Sequence, residues 1–478
     1  SLEKTRCKRN YTIKWNHILS KKTTDITPII IASYDIESDS SHGDFPQAVK
    51  DWKKVAEDIV VEYLRLKEQN KTSYIFKIFK RLLETAFSND PEMEKENNIS
   101  HAFTKFDIVP TESQIDLIAK KLQDAFVSDA DDSKKNDKKA SFFEMRKNKV
   151  IKNKKKSAKG LKKRELITFI TELLNEEFGK MNIYLKGDPV IQIGTVFMRF
   201  GEDKPFLKHI ITLDTCDDIE GAVVVPCETE EEVLLEWTKL ITSQDPDIIT
   251  GYNIFGFDYK YMKDRAHELS LECIESETHK KWGGCGCCLD KFLDLGRLKS
   301  KKSYLKEKVL ASSAMGSNEM WILMMNGRIS IDLLKVVLRE HKLGSYKLDN
   351  VSAHFIRGKL IDNIYEPTTD TTKLITDNTD ALSVEGYITI MINRGTFEEK
   401  LNKGQKWQII SLTKDCIEVR GNIKELYLKK YKYNWCQAKD DVSPKDIFRL
   451  QKGTSSDRAI VAKYCIKDCK LVDDLLDK

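Results

Sequence analysis

The sequence predicts an α/β protein that carries two insertions, one helical and one rich in β-strands. Three observations lead to this prediction. Continuous apolar runs such as 29–34 are typical of buried central strands. Segments with helical hydrophobic spacing, at 230–242 and 257–267, alternate with later strands. The pattern departs from this alternation twice, at 48–186 and at 363–438.

The strands of the core are predicted from short β-rich runs. The first run ends in the acidic segment Asp35-Ile36-Glu37. Two later runs are joined by the turn-like segment 201–205, so we interpret them as an antiparallel hairpin. In chain order, the later runs are 190–200, 206–213, 223–225 and 248–249.

The first insertion is predicted to be helical. Hydrophobic residues recur at helical spacing in 51–66 and in 164–178, and a capping box at Thr111–Gln114 begins another helix. Lysines crowd between Lys134 and Arg164, which indicates a basic linker. This linker is either simply solvated or in contact with phosphate groups.

The second insertion is predicted to be β-rich, because short strand-like runs lie among Thr- and Asn-rich turns. These runs are 387–392, 407–412 and 416–419. A helix over 458–476 then closes the chain.

Composition indicates a soluble, highly charged globular protein. Of 478 residues, 32% are charged and 40% hydrophobic, with a net charge of +5. No apolar run reaches the ~18 residues of a membrane span, so we expect no membrane association. The 11 cysteines form no regular framework, which favours free thiols in a reducing compartment.

One cysteine group raises the question of zinc. Cys285, Cys287 and Cys288 are close in sequence, and a zinc site would need a fourth ligand such as Cys273 or His279. Because the spacing of two cysteine pairs is missing, we expect a glycine-rich loop with free thiols and no zinc.

Acidic residues and one tyrosine form the candidate catalytic constellation. Asp35 and Glu37 are two apart on a strand, so both project from one face. Tyr464 and Asp468 are four apart on a helix and also share a face. Asp258 begins a helix. If these carboxylates converge, two Mg²⁺ or Mn²⁺ ions about 4 Å apart are expected, an arrangement suited to phosphodiester hydrolysis with Tyr464 positioning the water.

In their order and in their residues, three segments resemble the exonuclease motifs of family B DNA polymerases. They are 33–37, 247–258 and 464–468. The stretches 327–334 and 343–348 resemble the family's sequence between the second and third motifs, and 190–194 resembles its second strand. The resemblance implies a ribonuclease-H-like fold, a mixed sheet flanked by helices. It implies that Asp35, Glu37, Asp258 and Asp468 bind metal and that Tyr464 orients water.

The resemblance also assigns residues around the second motif. Asn253 and Phe257 fall where the family contacts the unpaired 3′ end, although Phe257 is equally suited to the core. Asp332 matches a family position and is expected to be structural.

The same resemblance predicts the domain organisation. Residues 1–28 are a remnant of an amino-terminal domain; 29–47, 187–362 and 439–478 form the exonuclease domain; 48–186 and 363–438 are the insertions. Insertions of this size, with an Asn- and Lys-rich composition, resemble polymerases of large nucleocytoplasmic DNA viruses. The polymerase palm motifs are absent and the chain begins at Ser1, so we expect the polymerising half to lie outside this sequence.

The leading functional hypothesis is a metal-dependent 3′–5′ proofreading exonuclease, part of a DNA-directed DNA polymerase in replication. It would release nucleoside monophosphates from primer-template DNA with a single-stranded 3′ end. Two alternatives are a non-catalytic scaffold that binds DNA or replication partners, and a stand-alone repair or RNA exonuclease. Expected partners are the other polymerase domains and, through the insertions, replication accessory proteins. The expected location is intracellular, in the host cytoplasm (virus factory) or nucleus.

Overall fold

The computed structural model describes residues 5–7, 11–24, 27–69, 74–127, 161–202, 204–275, 288–312, 316–395, 397–423, 426, 430–439 and 442–478. The chain divides into two compact units. One comprises Ser1–Ala48 and Pro189–Lys478, and the other Val49–Asp188.

The strands described in the first unit form a mixed core sheet, a hairpin and a second large sheet. In chain order they are β1 (Ile30–Ser38), β2 (Val190–Arg199), β3 (Leu207–Leu213), β4 (Val223–Cys227), β5 (Ile248–Gly251), β6 (Tyr304–Ser312), β7 (Gly316–Met324), β8 (Ile329–Asp332), β9 (Arg357–Glu366), β10 (Thr371–Thr376), β11 (Tyr387–Asn393), β12 (Glu398–Lys400), β13 (Trp407–Leu412), β14 (Cys416–Arg420) and β15 (Lys432–Ala438).

The core sheet has the strand order β4-β3-β2-β1-β5-β8. Strand β1 pairs antiparallel with β2 and parallel with β5, so the sheet is mixed and β1 is an interior strand. The predicted hairpin is confirmed, because β2 and β3 pair antiparallel. The predicted α/β class, with a mixed sheet and helices, is likewise confirmed.

Helices cover both faces of this sheet. The described helices of both units, in chain order, are α1 (Lys53–Glu68), α2 (Ile75–Ala86), α3 (Pro91–Asn97), α4 (Glu112–Val127), α5 (Lys163–Lys180), α6 (Glu230–Gln244), α7 (Asp258–Glu275), α8 (Cys288–Phe292), α9 (Leu333–Glu340), α10 (Leu348–Phe355), α11 (Pro444–Gln451) and α12 (Ser455–Leu476). Short 3₁₀ turns lie at Trp15–His17, Lys105–Asp107 and Leu401–Gly404.

Successive side chains of β1 lie on opposite faces of the sheet and therefore contact different elements. Tyr34 lies in the core beneath α6 and α7, with its ring 5.0 Å from that of Trp237 and 5.6 Å from that of Tyr259. On the opposite face, Ser33 Oγ donates a hydrogen bond to the carbonyl of Cys469 in α12 at 2.8 Å. The acids of β1 therefore share a face with Ser33, toward the final helix.

The second large sheet of this unit closes into a barrel. Its strand order is β12-β11-β13-β14-β10-β9-β15, and β11 also pairs with β15. The barrel begins and ends at neighbouring points, since Arg357 pairs with Cys436. Sequence analysis predicted β11, β13 and β14 but missed β9, β10 and β15. In β9, polar residues hide the strand pattern, because much of the strand is exposed.

The unit Val49–Asp188 is helical in its described part. Its core includes Trp52 stacked on Phe178 with 3.9 Å between ring centroids, and fully buried Phe79. The three predicted helices correspond to α1, α4 and α5, whereas α2 and α3 were not predicted. Most of the predicted basic linker, residues 134–160, lies outside the described residues.

Three further features of the fold concern a hairpin, the cysteines and the lengths of the helices. The antiparallel β6–β7 hairpin was not predicted from the sequence. Cysteines whose side chains the structure describes carry free thiols, as expected; the side chains of Cys273, Cys285, Cys287 and His279 from the zinc question are not among those described. None of the helices described here is long and apolar enough to cross a membrane.

Candidate active site

Three acidic side chains meet where β1 faces α12. One carboxylate oxygen from each of Asp35, Glu37 and Asp468 lies within 4.8 Å of the other two. The strand supplies the first two from one face, and the helix supplies the third. We call these three residues the acidic group.

A glycine allows α12 to approach the sheet closely enough for this meeting. Gly194 in β2 pairs with Asp35, and a Cβ built on it would lie 2.7 Å from Cys465 Sγ and 3.0 Å from Cys469 Sγ. Cys465 Sγ in turn lies 3.6 Å from the carbonyl oxygen of Asp35. The space that a side chain at position 194 would occupy is thus filled by α12, the helix that carries Asp468.

Asp258 lies beside the acidic group but is not one of the three. It is the first residue of α7 and is only 3% exposed. Burial raises its pKa well above the usual range, and the charge of Asp35 raises it further. This electrostatic coupling places Asp258 near Asp35.

The turn before Asp258 is held by Asp332. Its carboxylate accepts hydrogen bonds from the backbone N–H groups of Asn253 at 2.9 Å, Phe255 at 3.0 Å and Leu334 at 3.0 Å. Asn253 has a φ of +67°, a strained conformation for a residue other than glycine. Asp332 therefore fixes the path of the chain into α7 and caps α9, in agreement with the structural role expected for it.

Replacing Asp332 by Ala is expected to destabilise the first unit by about 3 kcal/mol, because three backbone donors lose a charged acceptor. Asp90 offers a matched control, since it caps only its own helix α3; its replacement by Ala is expected to cost about 1 kcal/mol. Denaturant unfolding measures both, and hydrogen exchange at Asn253 and Phe255 locates the loss. Unchanged exchange at these two amides would contradict the assignment.

The two residues expected at the 3′ end lie outside the acidic group. Asn253 packs its side chain against Gly256, where an added Cβ would lie 2.3 Å from Asn253 Oδ1. Phe257 is partly buried, with ring centroids 5.0 Å from Tyr261 and 5.6 Å from Phe45. Its packing fits the core alternative, and its partial exposure leaves the ring available to a ligand.

Sequence analysis missed Lys439, which lies inside the site. Its Nζ is 2.5 Å from Asp468 Oδ2 and 4.7 Å from the centroid of the Tyr464 ring. Its backbone is held by Asp349, whose Oδ1 accepts from the Lys439 N–H at 3.1 Å, and by Lys406, whose Nζ donates to the Lys439 carbonyl at 2.5 Å. The residue follows β15 directly, and no spacing in the sequence links it to the acids.

Crowding of buried carboxylates dominates the electrostatics. Burial raises the pKa of Asp35 to about 7, with Asp468 raising it and Lys439 lowering it. Burial and then the charge of Asp35 raise the pKa of Glu37 well above its usual range. Burial and Asp468 likewise raise the pKa of Tyr464, so its phenol stays protonated at neutral pH. One lysine does not balance these acids, and the oxygen-only donor set suits hard divalent cations.

The family model and the similar proteins agree on one protein family. Residues 121–351 match the model of the DNA polymerase family B exonuclease domain. The chain is 37% identical to a DNA polymerase of Pyramimonas orientalis virus over 486 aligned residues, covering 99% of the chain and 36% of that protein. It is 32% identical to a DNA polymerase of Phaeocystis pouchetii virus, covering 99% of the chain and 47% of that protein.

A cellular protein is also similar over a shorter stretch. The DNA polymerase delta catalytic subunit of Dictyostelium discoideum is 40% identical over 170 residues, 36% of the chain and 14% of that protein. The expected relationship to viral polymerases is confirmed, because the two viral DNA polymerases named above each align over 99% of the chain. The chain spans less than half the length of each relative named here. By its family match and these relatives, the chain contains a family B DNA polymerase exonuclease domain.

Proposed function

We propose that this chain is a metal-dependent 3′–5′ exonuclease and serves as the proofreading part of a replicative DNA polymerase. The observation that carries the proposal is the meeting of Asp35, Glu37 and Asp468 in a chain whose residues 121–351 match the family B exonuclease domain. Its substrate is the single-stranded 3′ end of primer-template DNA. Mismatched ends are favoured because their terminal base is easier to unpair.

The acidic group and Asp258 are the proposed metal ligands. Mg²⁺ or Mn²⁺ fits them, because all four residues offer carboxylate oxygens and their mutual repulsion falls when cations bind. Bound ions would supply an activated water and stabilise the leaving oxygen of a phosphodiester. Lys439 supplies one positive charge that pairs with the Asp468 carboxylate.

Tyr464 is the proposed water-positioning residue. Its phenol remains protonated, so the oxygen both donates and accepts hydrogen bonds, and the ring lies under Lys439. Since Tyr464 and Asp468 lie one helical turn apart, the phenol points toward the same side as the acidic group.

Replacing Tyr464 by Phe is expected to lower kcat on the order of 10- to 100-fold with little change in DNA binding. The ring and its contact with Lys439 stay, and only the hydroxyl is lost. Single-turnover hydrolysis of a labelled primer measures the effect, with Tyr365→Phe as control, at a half-buried residue of β9 whose hydroxyl donates to Asp370. An unchanged kcat for Tyr464→Phe would contradict the role.

The domain organisation stays part of the proposal. A ribonuclease-H-like exonuclease domain would be formed by 29–47, 187–362 and 439–478, with insertions at 48–186 and 363–438 and an amino-terminal remnant at 1–28. The compact helical unit and the closed barrel support this division. The remaining polymerase domains and replication accessory proteins are the proposed partners, inside the infected cell in its cytoplasm or nucleus.

The decisive experiment uses a 5′-labelled primer-template with a 3′ mismatch, incubated with the chain and Mg²⁺ or EDTA. A metal-dependent ladder that shortens from the 3′ end, faster for the mismatch than for a paired end, is expected. Failure to cleave with Mg²⁺ or Mn²⁺, from a folded sample that still binds the primer, would overturn catalysis by this chain and favour the scaffold alternative.

A further inference from the structure

The barrel carries a cleft at the end of β11 that the exonuclease chemistry does not use. A cavity of about 480 Å³ lies there between β12, the turn Leu401–Gly404 and the start of β15. Its floor is apolar, since Ile392, Leu401 and Tyr433 are 3%, 8% and 2% exposed. The rim carries the polar and charged groups.

The rim combines positive charge with an aromatic ring. Arg394, Lys400 and Lys430 line it together with one carboxylate, Glu399, which pairs with Arg394 at 2.5 Å. Tyr431 stands among them: the Arg394 guanidinium carbon and Lys430 Nζ each lie 5.1 Å from its ring centroid. A hydrogen bond with Lys430 lowers the pKa of the Tyr431 phenol, which reflects the positive field at this rim.

We propose that this cleft binds single-stranded DNA, with Tyr431 stacking on a base and the surrounding cations contacting the phosphates. A partly exposed ring bordered by cations above an apolar floor is the combination that holds single strands without reading sequence. An acidic peptide would satisfy the cations but would leave the stacking surface unused. The inference rests on the proposed function for the identity of the polyanion as DNA.

The position of the cleft in the chain connects it to the catalytic site. Tyr431 and Tyr433 begin the segment that runs along β15 and ends at Lys439, whose Nζ contacts Asp468. Lys467 of α12 also donates to the carbonyl of Glu385 in the barrel at 3.0 Å. The barrel and the acidic group thus belong to the same compact unit. DNA bound at the rim of the cleft is therefore bound to the unit that carries the proposed exonuclease site.

The test measures binding of fluorescent oligothymidine to the full chain in EDTA, where no hydrolysis occurs. Lys400→Glu with Lys430→Glu is expected to weaken binding about tenfold or more and to reduce the salt slope by about 1.4. The charge-matched control, Lys373→Glu with Lys414→Glu, lies on exposed barrel positions outside the cleft. It is expected to change affinity less than about twofold.

Stacking is tested separately. Tyr431→Ala is expected to weaken binding about tenfold, whereas Tyr431→Phe, which keeps the ring, stays near the parent affinity. The proposal would be overturned if both double variants lost the same affinity for oligothymidine, or if Tyr431→Ala kept the parent affinity. Competition by polyglutamate as strong as that by oligothymidine would overturn it as well. Because EDTA removes catalysis from the readout, a chain that binds here yet never hydrolyses DNA refutes the exonuclease proposal alone.

Discussion

Replacing Asp35 and Glu37 together by Ala is expected to lower the rate of 3′ nucleotide release on the order of 1000-fold or more. Both residues belong to the acidic group, where their oxygens lie within 4.8 Å of one from Asp468. Without them, Asp468 and Asp258 remain as the only proposed ligands, too few to hold a pair of divalent ions. A loss of about 4 kcal/mol of transition-state stabilisation corresponds to this factor.

Binding separates a catalytic from a structural effect. The double variant is expected to bind single-stranded DNA at least as well as the parent, because negative charge is removed from the neighbourhood of the strand. Thermal unfolding in EDTA is expected to show no destabilisation, since burial and mutual repulsion oppose the ionised acids. Hydrolysis in rapid quench and binding by anisotropy are measured on the same preparation.

The control removes an equivalent pair of carboxylates elsewhere. Asp362→Ala with Glu366→Ala deletes an exposed aspartate and glutamate from strand β9 and is expected to leave hydrolysis within about twofold of the parent. Turnover by Asp35→Ala with Glu37→Ala at the control's rate would exclude the acidic group as the metal site.

Much of this site could be predicted from local patterns, because each of its acids belongs to a regular element. Asp35 and Glu37 end a continuous apolar run, and Tyr464 and Asp468 lie on a long helix. The strand and helix periods therefore show which residues share a face. Asp258 begins its helix as predicted. The converging elements themselves are far apart in the chain, and their meeting was expected only through family resemblance.

Lys439 shows what local patterns leave out. It lies just after β15, a strand that was not predicted, and reaches Asp468 only because the barrel closes and returns the chain beside its entry point. Barrel closure depends on pairing between β11 and β15, a long-range register that no local period encodes. The cleft at the end of β11, which contains Tyr431, was not predicted either, because it forms where strands distant in sequence meet.

The closeness of α12 to the sheet is the geometric condition for the site, and Gly194 tests it. Gly194→Ala is expected to destabilise the first unit by about 2 kcal/mol, because its Cβ would lie 2.7 Å from Cys465 Sγ in a packed interior. Relief requires α12 to shift, which moves Asp468 away from Asp35. A displacement near 1 Å is expected to lower hydrolysis on the order of 100-fold.

Two further variants make the interpretation specific. Gly344→Ala is the matched control, since a Cβ there meets nothing within 4 Å, and it is expected to leave hydrolysis unchanged and to raise stability by at most about 1 kcal/mol. Adding Cys465→Ala to Gly194→Ala removes the nearer of the two obstructing sulfurs, leaving Cys469 Sγ at 3.0 Å, and is expected to restore part of the hydrolysis. Because Cys465 carries no proposed catalytic role, such rescue can arise only from the position of the helix. Loss of hydrolysis that persists in this double variant, with normal stability, would show that Gly194 acts on the acidic group by some route other than the approach of α12.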